Sequence, residues 1–168
     1  AGLAIDPRNF TNELASTNET RRCLAIELAV ADKTRLSSAA AKSLLSDAKQ
    51  SERLRISCME VLLQRGQLRF SPELLNETST PPHLMVRHLA LTAELPLEQR
   101  RDAARLIREK LPFAEPQANL VAVQLLGSVA SAGDIQQLAT WVGLTSSSPH
   151  DPAVSHVARI AIRDILRD

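Results

Sequence analysis

Histidine, cysteine and arginine are the residue types in this sequence that could carry chemistry. The four histidines form two pairs, His83 with His88 and His150 with His156, separated by five and six positions. Two histidines that bind one metal ion from the same helix stand four positions apart, because that spacing places both rings on one face. The observed spacings argue against a helical metal site. The sequence therefore predicts no metal and no cofactor.

The cysteines and the short motifs give no sign of a catalytic nucleophile. Cys23 and Cys58 are too few for a disulfide scaffold. They fall in adjacent predicted helices, where a disulfide is conceivable, but two buried thiols are the favoured interpretation. The sequence contains no Gly-x-Ser-x-Gly motif, no phosphate-binding glycine-rich loop and no recognisable pair of catalytic carboxylates. We therefore predict no catalytic residue, and a protein that is not an enzyme is favoured.

Three arginines form the densest basic pattern in the chain. Arg101, Arg105 and Arg108 have i, i+4, i+7 spacing, which places them on one face of a predicted helix. This stripe is the candidate patch for an anion or a nucleic acid. Carboxylates are interleaved with it, at Glu98, Asp102 and Glu109. Because neighbouring opposite charges neutralise one another along a helix, a solvated outer face is the favoured interpretation.

Charge and composition bound the kinds of partner. The chain carries 20 Lys and Arg against 19 Asp and Glu, so it has no strong long-range field to attract nucleic acid or an anionic membrane. Aromatic residues are only 2% of the sequence, so the stacking platforms that bind unpaired bases are scarce. No apolar run approaches the ~18–20 residues that a membrane span requires. Composition thus disfavours nucleic acid as a partner and predicts no membrane span.

The elements that position these residues are predicted to be helices. The hydrophobic fraction is 44%, supplied mainly by Ala and Leu, which are strong helix formers, and few segments have the β-branched character of strands. Five Gly and nine Pro stand mostly between periodic segments and punctuate them. The predicted fold class is all-α.

A helical pattern recurs along the chain. Apolar and small residues repeat at fixed offsets from five starting positions: Arg21, Leu54, Val86, Ala118 and Val154. The spacing between successive starts is 32 to 36 residues, a period typical of helical repeat arrays. Four places after each start stands a small residue: Ala25, Cys58, Ala90, Ala122 and Ala158. We expect this register to pack closely against neighbouring helices, since small residues let helix backbones approach.

Between these helices lie further amphipathic segments, so the chain is predicted to form helix pairs. The predicted first helices lie at Ser37–Lys49, Pro72–Glu77, Leu97–Leu111 and Asp134–Val142, with an early one around Pro7–Ala15. Pro72–Glu77 is unusually short, and the third pair is expected to be irregular. We predict a single repeat domain over residues 1–168, with repeats near 7–32, 37–66, 71–95, 97–130 and 134–168.

These residues resemble a known family. VRHLALTA (Val86–Ala93) looks like the second-helix signature of HEAT repeats, with Val-Arg-x-x-Ala-x-x-Ala. Leu120–Val142 and Asp151–Leu166 are similar to the short HEAT-like repeats of phycobilin lyases and bacterial scaffold proteins. Leu126-Gly127 and Gly133-Asp134 occupy the places where such a helix ends and the chain turns. The resemblance covers roughly residues 21–166. It implies a short right-handed α-solenoid of about five helix pairs, in a family whose members range from adaptors to enzymes.

The resemblance also bears on a second set of arginines. Arg22, Arg55 and Arg87 each follow a start position, whereas Asn119 and Ser155 depart from this pattern in the last two repeats. The three arginines could form a basic stripe for an acidic ligand. The resemblance implies instead that each pairs with a carboxylate or carbonyl of a neighbouring repeat, and we favour this interpretation.

The predicted function is a non-catalytic module for protein–protein interaction, or scaffold. The partner would be another protein or domain, bound on the concave face of the solenoid. The candidate contact residues are those expected to be exposed on the second helices: Arg22, Glu27, Arg55, Glu60, Arg87, His88, Glu94, Gln124 and Arg159. Two alternatives remain open: a nucleic-acid-binding HEAT-like protein, and a lyase-like or glycosylase-like enzyme on the same fold. The last segment, IRDILRD, has no polar capping helix. We therefore expect a piece of a longer protein, a covering partner or self-association through this end.

Overall fold

The computed structural model describes residues 9–32, 35–141 and 152–167. These residues form α-helices, short 3-10 turns and connections without any β-strand, which confirms the all-α prediction for this part of the chain. The chain divides into two compact units, Ala1–Leu68 and Arg69–Asp168. A single continuous repeat domain stays a prediction.

The described residues of the first unit form four helices: α1 (Phe10–Leu14), α2 (Glu19–Ala31), α3 (Ser38–Ser46) and α4 (Glu52–Gln64). The starts of the last three helices are specified by polar residues. Side-chain oxygens of Asn18, Ser37 and Ser51 each accept a hydrogen bond from the backbone N–H three residues further on, at 3.1 to 3.3 Å. Two residues after the end of α4 the chain turns at Gly66, whose φ of +65° lies in the left-handed region that favours glycine.

The core of the first unit forms where α4 packs on both α2 and α3. Ala25 of α2 and Cys58 of α4 are both fully buried. Both occupy the predicted small register, so the burial of this register is confirmed in α2 and α4.

In the second unit, the part of the chain that the structure describes has five α-helices: α5 (Pro82–Thr92), α6 (Leu97–Lys110), α7 (Pro116–Gly127), α8 (Ile135–Trp141) and α9 (Pro152–Ile165). Helix α7 lies between α5 and α9, while α6 packs on α7 and α8 packs on α9. Ala122 and Ala158 are fully buried in this arrangement. The two α-helix pairs of this unit thus pack second helix on second helix, as the repeat pattern predicts.

The third pair has only a 3-10 turn, Pro72–Leu75, in place of its first α-helix. Leu74 and Leu75 are nevertheless buried, so the turn supplies apolar cover to the unit. The predicted irregularity of this pair is confirmed.

Helix α5 departs from the predicted register by one residue. Ala90 is only half-buried, whereas Met85 and Leu89 are buried together with Thr92. Burying Met85 and Leu89 removes more apolar surface from water than burying Val86 and Ala90 would, so the larger side chains determine which face points inward. The register of the VRHLALTA signature is therefore wrong as a guide to packing in this helix.

Candidate functional site

Arg22 and Arg55 are used inside the first unit. Arg55 is only 6% exposed, and its Nε donates a hydrogen bond to the carbonyl oxygen of Leu45 at 2.8 Å. Burial lowers the pKa of this guanidinium. Half-buried Arg22 donates from Nη2 to the side-chain oxygen of Gln50. Arg55 is thus wrong as a partner-binding residue, because its side chain satisfies a carbonyl at the end of α3.

Asn119 performs the corresponding task in α7. Its Oδ1 accepts a hydrogen bond from the backbone N–H of Phe113, and its Nδ2 donates to the carbonyl oxygen of Phe113, both at 2.8 Å. Like Arg55, Asn119 binds the chain shortly before its own helix. The departure from arginine in the fourth repeat therefore keeps a polar link to the preceding segment while using a shorter side chain.

His88 is wrong as a surface contact residue, because its side chain is fully buried. Its Nε2 accepts a hydrogen bond from the backbone N–H of Ser71 at 3.1 Å, and its ring stacks on Phe70 with centroids 5.4 Å apart. Burial lowers the pKa of His88 to about 4, and the charge of Glu73 opposes this shift only in part. His88 is therefore a neutral residue that binds the connection before α5.

The remaining predicted contact residues are divided between the two units, and most of them are exposed. The second helices and the turn after α5 expose five of them: Glu27, Arg87, Glu94, Gln124 and Arg159. Glu60 is half-buried. Gln124 also lines a groove in the second unit.

A groove of about 330 Å³ opens between α7 and α9. From α7 and the residue after it, the lining residues are Val123, Gln124, Gly127 and Ser128. From α9 they are Val157, Ile160, Ala161 and Asp164. The groove is thus mainly apolar, with an amide, a hydroxyl and a carboxylate at its edges. Its size is at the lower end of the range for binding cavities.

The floor of the groove is set by a close approach of the two helices. A Cβ atom on Gly127 would lie 2.8 Å from the Cβ of Ala161, closer than two carbon atoms can pack. With no side chain at position 127, α7 and α9 meet directly. Ile160, at the wall, is 36% exposed. The groove therefore offers an apolar surface to solvent.

The exposed face of α9 beside this groove is basic. His156, Arg159 and Arg163 are exposed and have i, i+3, i+7 spacing, which places them along one face of the helix. Arg167, which follows the end of α9, is also exposed. Arg163 forms an ion pair with Asp164 at 2.8 Å in which both side chains are 54% exposed. Such an exposed pair is weak and leaves both groups open to exchange of partners.

Arg101, Arg105 and Arg108 do not form an uncompensated patch on α6. Arg101 and Arg105 are exposed, but Arg108 forms an ion pair with Asp134, with 2.7 Å between Nη2 and Oδ1. The backbone carbonyl of Arg108 also accepts a hydrogen bond from Gln137 at 3.4 Å. Arg108 thus links α6 to the segment that begins α8.

The other residues with possible chemistry show no clustering. Cys23 and Cys58 are free, buried thiols, as predicted, and burial raises the pKa of Cys58 to about 12, so its thiolate is disfavoured. Within residues 9–32, 35–141 and 152–167, no three His, Cys, Asp or Glu side chains could hold a metal ion together. His150 lies outside the described residues. None of the described helices has the length and apolar character to cross a membrane.

Comparisons with protein-family models, with curated proteins and with solved structures found no match for this chain.

Of the residues that line the α7–α9 groove, the sequence predicted only Gln124 as a contact residue. Val157, Ile160 and Asp164 have i, i+3, i+7 spacing on α9, next to the packed register of Val154 and Ala158. An isoleucine outside the packed register, on a helix that also carries two arginines, was the signal available in the sequence.

Proposed function

We propose that this chain is a non-catalytic protein-interaction module, built as a short right-handed α-solenoid of about five HEAT-like helix pairs. The repeat period of 32 to 36 residues supports the proposal. So does the packing of second helices on each other inside each unit, α2 on α4 and α7 on both α5 and α9. In a solenoid, such helices stand side by side and together form an extended binding surface.

The observation that carries the interaction function is the open groove between α7 and α9. It lies between two second helices, and it presents the half-exposed Ile160 together with the side chain of Gln124. Exposed apolar surface between polar edges is characteristic of sites that bind another macromolecule. Arg55 and Asn119 bind backbone groups of the chain itself, so the binding surface is formed by other residues, such as Gln124 and Arg159.

A photocrosslinking amino acid in place of Gln124 tests this function. The full chain carrying it is expressed in its native host, irradiated, and its adducts are identified by mass spectrometry. We expect discrete protein adducts that disappear when Ile160→Ser is added. The control carries the same amino acid in place of Arg101, which is exposed on α6. Adducts of equal yield at both positions would contradict the proposal, and nucleic-acid adducts at Arg101 alone would favour the nucleic-acid alternative.

A further inference from the structure

The groove and the basic face of α9 together indicate what kind of partner is bound. We propose that the α7–α9 groove binds an acidic amphipathic helix of a partner protein. This inference rests on the interaction function proposed above and specifies the chemistry of the partner. Three properties of the groove support it: its apolar wall, its internally bonded helical sides and the charge at its edge.

The apolar wall requires apolar side chains from the partner. Val123, Val157 and Ile160 line the groove, and its volume of about 330 Å³ accommodates a few aliphatic side chains and no large body. Because the close approach of Gly127 and Ala161 closes the floor, these side chains must enter from the solvent side. Two or three apolar residues from one face of a helix meet this requirement.

The helical sides of the groove favour a helix over an extended strand. A peptide that binds as a strand gains most of its affinity from unpaired backbone groups at the edge of a sheet. Both walls here are α-helices, whose backbone N–H and C=O groups are bonded within the helix. The partner that fits is a helix, because its backbone hydrogen bonds form within the helix itself. Its side chains at i and i+4 would be directed into the groove.

The charge at the edge selects an acidic partner. Residues 152–167 contain three arginines, one histidine and a single carboxylate, Asp164. Arg159 makes no ion pair within the part of the chain that the structure describes, and the pair between Arg163 and Asp164 is half-exposed. Glu or Asp residues on the flank of a bound helix would face Arg159 and Arg163. Opposite charge across an interface gives specificity and faster association.

Exposed apolar groups near these basic residues favour a protein over a nucleic acid. Ile160 stands between Arg159 and Arg163 in the sequence, and Leu166, just after the end of α9, is 71% exposed. A phosphate backbone has no apolar group to place against these side chains, whereas an amphipathic helix has both acidic and apolar residues. Nucleic acid is accordingly a separate outcome of the test.

The test uses three fluorescein-labelled, end-capped peptides with the full chain, followed by fluorescence anisotropy. The first is a 15-residue acidic amphipathic helix with Leu at i and i+4 and Glu on its flanks. The second has the same composition in scrambled order, and the third replaces each Glu by Lys. We expect saturable binding of the first and at least about ten-fold weaker binding of the other two, equivalent to about 1.4 kcal/mol.

Matched variants locate the binding site. Ile160→Ser removes an exposed apolar side chain, and Arg159→Glu inverts one charge of the rim. Each should weaken binding of the acidic amphipathic peptide by about ten-fold or more. Arg101→Glu makes the same charge change on the exposed face of α6 and should leave binding unchanged. Circular dichroism of each variant checks that the helices are intact.

Three results would overturn the proposal: equal binding of the scrambled peptide, no effect of Arg159→Glu, or tighter binding of a labelled 12-base-pair DNA duplex at the same salt concentration. Failure here is distinguishable from failure of the interaction function. If Gln124 crosslinks to a protein but the acidic amphipathic peptide does not bind, the function stands and the acidic partner is wrong. If Gln124 gives no protein adduct either, both proposals are wrong.

Discussion

At His88 the chain keeps a titratable side chain neutral by burying it against Phe70 and Ser71. The bond from the N–H of Ser71 occupies the Nε2 lone pair, so a proton on that nitrogen would break the link between α5 and the connection before it. Burial lowers the pKa of His88 from its ordinary 6.5 to about 4. Between about pH 4 and pH 6.5, His88 is therefore neutral in the folded state and protonated in the unfolded state.

This difference in the pKa of His88 between the two states makes the stability of the second unit dependent on pH. The unfolded chain takes up a proton at His88 near pH 6.5, whereas the folded chain takes it up only near pH 4. The free energy of unfolding should thus fall as the pH is lowered between these values, and His88 should have no effect above them. We expect a loss of about 2–3 kcal/mol at His88 between pH 7.5 and 4.5, measured by urea denaturation.

The substitution His88→Gln isolates this contribution. Glutamine keeps an oxygen that can accept the hydrogen bond from Ser71 but has no proton to gain in this range. Hydrogen bonds with Arg21 and Gln50 lower the pKa values of the carboxyls of Glu13 and Asp47. The contributions of these two carboxyls to stability fall in acid in both proteins, so they cancel in the comparison. Parallel stability curves for the wild type and the variant would show that His88 has no role in the pH dependence.

At the scale of single helices, the contact of α7 with α9 depends on the missing side chain of Gly127. In an exposed helix, Gly→Ala stabilises by about 1 kcal/mol because alanine has the higher helix propensity. Here the added Cβ would lie 2.8 Å from that of Ala161, so one helix must move. We expect Gly127→Ala to destabilise the protein by about 1–3 kcal/mol in chemical denaturation, despite the gain in propensity.

The reciprocal substitution separates crowding from other causes. Ala161→Gly alone should cost about 1 kcal/mol from helix propensity and lost burial. Combined with Gly127→Ala, it restores the space between α7 and α9, so the double variant should be more stable than the sum of the single changes predicts. Strict additivity would mean that the loss does not arise from contact between these two positions.

The helices themselves were largely predictable from local signals. Asn18, Ser37 and Ser51 cap the starts of α2, α3 and α4, and the apolar period places the second helices. Cap residues and apolar spacing act within a few residues of the helix that they specify, so one sequence contains the information.

The sites were less predictable because they depend on contacts distant in sequence. Helical position places both Arg55 and His88 beside the packed register. That position gives no information about Leu45 at the end of α3, or about Ser71 in the connection before α5, which bind these side chains. The predicted buried face of α5 is also wrong. Val86 and Ala90 match the repeat pattern, but the larger Met85 and Leu89 determine which face is buried. Which residues are exposed can be determined only when the positions of these neighbours are known.

At the scale of the whole molecule, the proposed solenoid predicts how a local defect spreads. In a row of repeats, each pair contacts chiefly its neighbours, so stability is approximately a sum of repeat and nearest-neighbour contributions. A closed bundle with one shared core would instead lose protection throughout when any core contact is weakened. The response of distant helices to a single substitution therefore discriminates between the two architectures.

Hydrogen exchange with mass spectrometry measures this response in the full chain. Gly127→Ala weakens the contact of α7 with α9, so we expect faster amide exchange in α7, α8 and α9 and unchanged exchange in α2 and α4. Cys58→Ser is the matched change in the first unit, since it introduces a hydroxyl at a fully buried position at a cost of about 1–3 kcal/mol. It should accelerate exchange in α2, α3 and α4 and leave α9 unchanged, because α4 packs on α2 and α3. If either substitution accelerates exchange equally in all of these helices, the chain unfolds as one cooperative domain and the solenoid proposal is wrong.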